Sequence, residues 1–247
     1  MTPDWQLPPG VDRGLWDYLH SDPLVQSYDE KLAGTPLLAT DLRFCEKHFT
    51  NPGRLIDLGC GTGRLLIPFA RRGFDCLGVD LSDAMLTAVA EKARHEGLTI
   101  PTLKANLVEL DAIASDSFDF AACLFSTLGM IRGVDNRRAF LKHVARILKP
   151  GGLFVVHAHN RWFRFGRGLG RRGPEKGDRT MPQAYGGADL TLHHFTRGEI
   201  VGELRLAGFG VRELQPISTA GELKHAWWLP TVRAYGYLLV CEKSALK

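Results

Sequence analysis

Apolar positions along this chain first recur at helical spacing and then gather into short continuous runs. Over Val11 to His20 and Pro36 to Phe49 they return every three or four residues, which predicts two amphipathic helices. Pro52-Gly53 punctuates the chain, and from Arg54 a regular alternation begins. Leu55 to Leu58 predicts a short strand and Leu65 to Arg72 an apolar helix, closed by Gly73. Cys76 to Val79 predicts a second strand ending at Asp80, and Ser82 is suited to cap a helix over Asp83 to His95, with Gly97 ending it. Pro101 to Ala105 predicts a third strand and Phe118 to Phe125 a fourth. The fourth is almost uninterrupted in its apolar character, as strands buried on both faces of a parallel sheet are. A helix over Asn136 to Leu148 stops at Lys149-Pro150-Gly151-Gly152, and a fifth strand covers Leu153 to His157.

Asp189 to Phe195 predicts a short strand or an extended lead-in. Thr196 with Glu199 three residues on forms a capping box for a helix to Ala207, and Val211 to Ile217 and Tyr235 to Glu242 complete the strands. Alternation of this kind predicts an α/β fold with a doubly wound, mostly parallel sheet. Residues 1–50 are expected to form an N-terminal helical cap, and 51–247 the main domain with an insertion at about 159–195.

The bulk composition changes little. Hydrophobic residues make up 45% and charged residues 23%, enough for a sizeable soluble core. The net charge of +4 is local in origin: Arg161, Arg164, Arg167, Arg171, Arg172, Lys176 and Arg179 outnumber Glu175 and Asp178 within one short stretch. The five cysteines are scattered without a Cys-x-x-Cys pair, which disfavours a disulfide scaffold or a zinc site; no metal is expected. The opening residues lack a signal-peptide pattern and no run reaches about 18 apolar residues, so a cytoplasmic protein without a membrane span is expected.

The chemistry concentrates in the first strand-to-helix turn, Gly59-Cys60-Gly61-Thr62-Gly63. In an open α/β sheet, ligands bind beyond the carboxyl ends of the strands, and glycines there let backbone approach the ligand and adopt positive φ. Asp80 follows Asp57 by 23 residues, close to the spacing at which a carboxylate accepts both ribose hydroxyls. Each such hydrogen bond is worth about 1.5–3 kcal/mol. The turn lacks the Gly-x-Gly-x-x-Gly of dinucleotide sites, whose helix N-terminus receives a pyrophosphate. Asp57 just upstream suits an ammonium instead, so a ligand with an amino-acid tail fits better.

Residues 55–63 resemble the first motif of the class I S-adenosylmethionine-dependent methyltransferases. Gly78-Val79-Asp80-Leu81-Ser82 resembles their second motif, Phe118-Asp119-Phe120 through Thr127-Leu128-Gly129 the fourth-strand motif, and Leu148-Lys149-Pro150-Gly151-Gly152 the segment before strand five. The resemblance covers about residues 54–158. It implies a seven-stranded Rossmann-like sheet of order 3-2-1-4-5-7-6 with the last strand antiparallel, and S-adenosylmethionine as cofactor, leaving as S-adenosylhomocysteine. By resemblance, Gly59, Cys60, Gly61 and Gly63 pack under the methionine portion with Asp57 near its ammonium, Asp80 holds the ribose, and Leu81 and Met85 flank the adenine. Asn106, followed by Leu107, stands where relatives often carry an aspartate toward the adenine amine; Phe125 and Ser126 would lie between cofactor and acceptor.

Methyl transfer from a sulfonium is an in-line displacement whose donor carries its own activation, so no fixed triad is expected. Where a hydroxyl or ammonium is the nucleophile, a general base helps. Candidates are His159, with His157 on the same strand face, and His194 with His193; Asn160 lies beside them. Tyr28 resembles a lid tyrosine of many relatives, and Tyr185, Trp227 and Trp228 are candidates for an aromatic acceptor pocket. The arginine-rich stretch has three readings: a lid over a small acidic substrate, a surface for RNA phosphates, or a solvated loop. A small-molecule oxygen, nitrogen or carbon acceptor is therefore expected first, with RNA and a non-catalytic cofactor-binding subunit as alternatives. The sequence sets no oligomeric state.

Overall fold

The strand that carries the glycine turn, β1 (Arg54–Leu58), lies inside the sheet, paired in parallel with β2 (Asp75–Asp80) on one side and β4 (Phe118–Cys123) on the other. The computed structural model describes residues 2–20, 28–30, 34–167, 170–183, 188–222 and 230–244. β3 (Thr102–Lys104) forms the edge beside β2, and β5 (Leu148–His159) continues the parallel set beyond β4. β11 (Gly236–Lys243) then enters antiparallel between β5 and β9 (Phe209–Ser218). The expected seven-stranded order is present, extended by a two-residue edge strand, β10 (Gly221–Glu222). Tyr185, Trp227 and Trp228 fall outside the described residues.

Side chains of successive strand residues point to opposite faces, and the core divides accordingly. Phe154, Val156 and Ala158 of β5 pack on one face with Phe140, Leu141 and Val144 of a helix over Val134–Ile147. Val155 joins the other face, with Phe44 and Cys45 of a helix over Pro36–His48, Leu66 and Phe69 of one over Leu66–Arg71, and Val89 of one over Asp83–His95. The caps follow the sequence: Ser82 accepts from the Met85 N–H, and Thr196 and Glu199 form a complete capping box at the start of Arg197–Leu206.

Two boundaries differ from expectation for backbone reasons. β4 stops at Cys123, before Phe125, because Phe125 and Ser126 take φ of 52° and 62° and leave the ladder. β5 begins at Leu148, ahead of the expected Leu153. Leu148 still pairs with Phe118 while Lys149 to Gly152 loop out, helped by Gly151 at φ 77°.

The basic stretch is not a bare loop. β6 (Arg171–Arg172), β7 (Asp178–Gln183) and β8 (Ala188–His193) form an antiparallel sheet. Its strands are short and set among Gly170, Gly173, Pro174, Gly177 and Pro182, so no period of two emerges from sequence. Leu190 and Leu192 of β8 pack against Leu15 and Tyr18 of the helix over Arg13–Leu19, so the N-terminal segment and the insertion meet. Several cations of the stretch are occupied within the chain. Arg161 donates to Glu199 Oε2 at 2.5 Å, Arg171 pairs with Asp189 at 3.1 Å, and Arg179 donates to the Asp178 carbonyl at 3.0 Å.

Beneath this sheet lies a buried ionic network. Asp178 accepts from Arg132 at 2.6 Å and from His193 Nδ1 at 2.8 Å, while His193 Nε2 meets Glu199 at 2.8 Å. Burial alone would raise the Asp178 carboxyl, but the bonds from His193 and Arg132 overcome it and hold the group well below its ordinary 3.8. A depressed carboxyl stabilises the fold above its unfolded value and loses that contribution as pH falls through the carboxylate range. Asp178→Ala would leave Arg132 and His193 without their central acceptor and is expected to cost about 3–5 kcal/mol. Denaturant unfolding at pH 7 measures it, and an unchanged midpoint would deny the network a net role.

Candidate functional site

The glycine turn bends because three of its residues occupy positive φ: Gly59 at 82°, Gly61 at 51° and Gly63 at 81°. Gly59 also lacks space for anything larger, since a Cβ there would lie 2.5 Å from Thr127 Cγ2. The turn is fixed from the neighbouring strand. Asp80 Oδ2 accepts from the Gly61 N–H at 2.9 Å, and Oδ1 accepts from the Ser82 N–H at 3.0 Å. Burial raises the Asp80 carboxyl above its ordinary value, countered by the backbone N–H groups of Ser82, Gly61 and Leu81. A carboxylate oxygen accepts more than one hydrogen bond, so both oxygens retain capacity for ligand hydroxyls.

These groups open onto a crevice of about 1090 Å³, counting the space at its mouth. The glycine turn and Asp57 form its floor, Asp80, Leu81 and Met85 one wall, and Asn106 and Leu107 the far end. Leu124, Phe125 and Thr127 also line it, as do Leu15, Tyr18 and Tyr28 of the N-terminal segment. The residues predicted as cofactor-binding are thereby brought together. Gly63 is the exception: it lies behind the turn, where a Cβ would press on Val89 at 3.1 Å.

Asp57 is 4% exposed, and burial raises its carboxyl to about 7, against the pull of Arg64 and with a further push from Asp80. Arg64 is the residue that sequence reasoning passed over. Its guanidinium lies 5.3 Å from the Phe125 ring and 5.8 Å from the Tyr28 ring, and its Nε is buried without a partner among the described residues. The signal was available, since Arg64 directly follows the last glycine of the turn. An ammonium-seeking carboxylate beside an unsatisfied guanidinium makes a matched pair of sites for the two charged ends of an α-amino acid.

Tyr28 stands over the turn, 3.7 Å from where a Gly61 Cβ would be. Asp29 next to it accepts from Thr62 Oγ1 at 2.5 Å and pairs with Lys92, so this short segment is tied to the turn. Asn106 turns its amide to the protein: Nδ2 donates to the Pro9 carbonyl and to Glu109, and Oδ1 accepts from the Val108 N–H at 3.3 Å.

The predicted catalytic residues sit elsewhere. His159 and His194 are buried behind the Phe125–Ser126 wall, outside the crevice lining, with ring centroids 5.4 Å apart. Ser126 Oγ accepts from the His159 backbone N–H at 3.2 Å. Asn160 spends its side chain on the Thr231 and Ala234 carbonyls and the Trp162 N–H. Asp41, also unmarked in the sequence, lines the crevice and meets His157 Nδ1 at 3.0 Å. Its signal was a carboxylate on the apolar face of a helix, between Leu37 and Phe44.

Residues 55–152 match the family model described as a methyltransferase domain. A ubiquinone biosynthesis O-methyltransferase of Rhodopseudomonas palustris (strain BisB18) is 31% identical over 193 residues, covering 78% of this chain and 71% of the relative. The chain belongs to the class I S-adenosylmethionine-dependent methyltransferases. Another such O-methyltransferase, of Caulobacter sp. (strain K31), is 36% identical over 108 residues, 44% of this chain. The chain spans only about two-fifths of the length of that relative, 41%. The fold is also that of a Burkholderia thailandensis 1,6-didemethyltoxoflavin-N1-methyltransferase crystallised with S-adenosylhomocysteine, at a TM-score of 0.65 and 18% identity over 97% of this chain and 93% of that one. Within this family the cofactor is S-adenosylmethionine, and the glycine turn, the carboxylate pair and the unsatisfied Arg64 fit such a group.

The raised Asp57 carboxyl sets a pH dependence. A cationic ammonium favours the ionised carboxylate, so cofactor affinity is expected to rise as pH increases through about 7. Titration calorimetry from pH 6 to 8 measures this, and Asp57→Asn should flatten the curve. A wild-type affinity that is level with pH would place the ammonium elsewhere.

Proposed function

We propose that this protein transfers the methyl group of S-adenosylmethionine to a hydroxyl of a small molecule by in-line displacement. One observation carries the reading above the rest: Asp80, the glycine turn, Asp57 and Arg64 converge on a single crevice, which the family fills with this cofactor. In it, Asp80 would hold the ribose and Leu81 and Met85 would flank the adenine. Asp57 and Arg64 would take the ammonium and the carboxylate, and Tyr28 with Phe125 would close over the methionine portion. The bound group supplies an electrophilic methyl; the residues supply alignment, worth up to about 7–11 kcal/mol in favourable cases.

A small acceptor is favoured over a macromolecule because the crevice is roofed. Residues of the N-terminal segment line it, and the helix over Arg13–Leu19 packs on β8 of the insertion. We assign the described residues of the N-terminal segment to that roof, with β8 of the insertion packed behind the helix over Arg13–Leu19. Oxygen is favoured as acceptor by the relatives, which are named as O-methyltransferases. The five cysteines are all buried as free thiols, which supports a reducing, cytoplasmic setting. Among the described residues no helix is long and apolar enough to cross a membrane.

Calorimetry with S-adenosylmethionine tests the reading directly. Asp80→Ala removes the acceptor for ribose and the latch on Gly61 together, and is expected to weaken binding at least about a hundredfold, from two lost charge-assisted bonds. Binding of wild type with unchanged affinity in this variant, or no binding by wild type, would remove the basis of the proposal.

A further inference from the structure

Three backbone carbonyls of the N-terminal segment are held by donors from the body of the domain. Asn106 Nδ2 donates to the Pro9 carbonyl at 3.0 Å, the Arg132 N–H to the Gly10 carbonyl at 2.8 Å, and Ser82 Oγ to the Leu19 carbonyl at 2.8 Å. Between these points Gly10, Val11, Leu15, Tyr18 and Leu19 line the cofactor crevice. The segment is therefore a strap, pinned at both ends. Its first turn fits closely: Gly10 takes φ 76°, and a Cβ there would lie 3.1 Å from Ile131 Cγ2 and 3.2 Å from Val108 Cγ2. Asp12 lies outside the crevice lining, accepting from the Leu15 N–H at 2.9 Å and pairing with Arg132 at 3.4 Å.

Asn106 is a side chain that the crevice and the strap share. Its partners fix which way the amide faces. Nδ2 meets two acceptors, the Pro9 carbonyl and Glu109 Oε2, each at 3.0 Å, while Oδ1 faces the Val108 N–H at 3.3 Å. Both amide hydrogens are thereby spent on the protein. A carboxylate could make neither donation, so an amide at this position serves the strap.

We infer that Asn106 is a positioning residue of the cofactor site: it fastens the N-terminal strap at the purine end of the crevice, and the strap, not the Asn106 side chain, holds the nucleoside in place. This rests on the methyl-transfer reading above, which sets the adenine beside Leu81 and Met85. Closure and binding are then linked, because a strap that favours the ligand must itself be steadied by it.

The test uses the full-length protein, S-adenosylhomocysteine, titration calorimetry and amide hydrogen exchange. The ligand is expected to slow exchange of the Val11, Leu15 and Trp16 amides and of the Arg132 amide that donates to the strap. Asn106→Asp keeps the side chain's size but sets a charge against the Pro9 carbonyl and Glu109. It should raise the Kd about tenfold or more, from two lost bonds and a like-charge contact. Exchange in the strap should quicken while that of β1 and β4 stays unchanged. Asp12→Ala should weaken binding several-fold through the strap alone. The double variant should bind little worse than Asn106→Asp, because the strap is released only once. A ring amine bonded directly to this side chain would gain from a carboxylate, so equal or tighter binding by Asn106→Asp overturns the inference. Losses that add fully in the double variant overturn it too, as does strap exchange that neither the ligand nor Asn106→Asp alters. Failure of the wild type to bind S-adenosylhomocysteine would instead strike the functional reading beneath it.

Discussion

The hydrogen bond from the Gly61 N–H to Asp80 joins the two halves of the cofactor site, and much of the local architecture follows from it. The turn must leave the sheet, reverse, direct the Gly59 and Cys60 N–H groups at the Val79 carbonyl and keep the Gly61 N–H on the Asp80 carboxyl of the neighbouring strand. Only residues without a Cβ take such φ values at little cost, and Gly59 is further confined by Thr127. The carboxyl, in turn, is buried, which raises it, and the backbone N–H groups of Ser82, Gly61 and Leu81 counter that burial. Turn and acid stabilise each other before any ligand arrives, which is preorganisation in a concrete form.

A second electrostatic arrangement is layered on the first. Arg64 lies close enough to pull the Asp57 carboxyl down against its burial, yet its Nε is unpartnered among the described residues and its guanidinium lies by the rings of Phe125 and Tyr28. The site thus holds a carboxyl near its neutral form and a cation near aromatic rings. Neither is well satisfied within the protein, and a zwitterionic ligand would satisfy both. Phe125 belongs to this arrangement through its strained backbone as much as its ring. Positive φ at two consecutive non-glycine residues costs of order 1–3 kcal/mol each and persists where the surroundings demand it. Here Asp41 holds the Phe125 N–H and the His159 N–H holds Ser126 Oγ.

The sheet was legible in the sequence because it depends on local pattern: apolar runs of strand length, glycine and proline stops, and caps such as Ser82 and Thr196. Most of the residues that line the crevice were legible for the same reason, sitting at fixed offsets from strand ends. Three things were not. In the β6–β7–β8 sheet only the β8 region was foreshadowed, as a short strand or extended lead-in. β6 and β7 are two and six residues long and set among glycines, with Pro182 inside β7, so pairing decides them and periodicity does not. Asp41 and Arg64 owe their importance to tertiary neighbours on other elements. His159 was legible as a residue at a strand end, but not its seclusion behind Phe125, because the positive φ of two ordinary residues has no sequence signature.

The two buried polar clusters under the roof make an instructive contrast. In the Asp178–His193–Glu199 network each imidazole nitrogen of His193 meets a carboxylate, and Arg132 and Arg161 balance the charge. That arrangement fastens the insertion to the body of the domain and leaves little for a ligand to add. His159 is also deeply buried, and among the described residues its ring has no polar partner. The same chain satisfies one histidine fully at the end of β8 and leaves another wholly unsatisfied at the end of β5. Poor packing of the region as a whole would not produce that difference, for His159 is enclosed by rings on three sides.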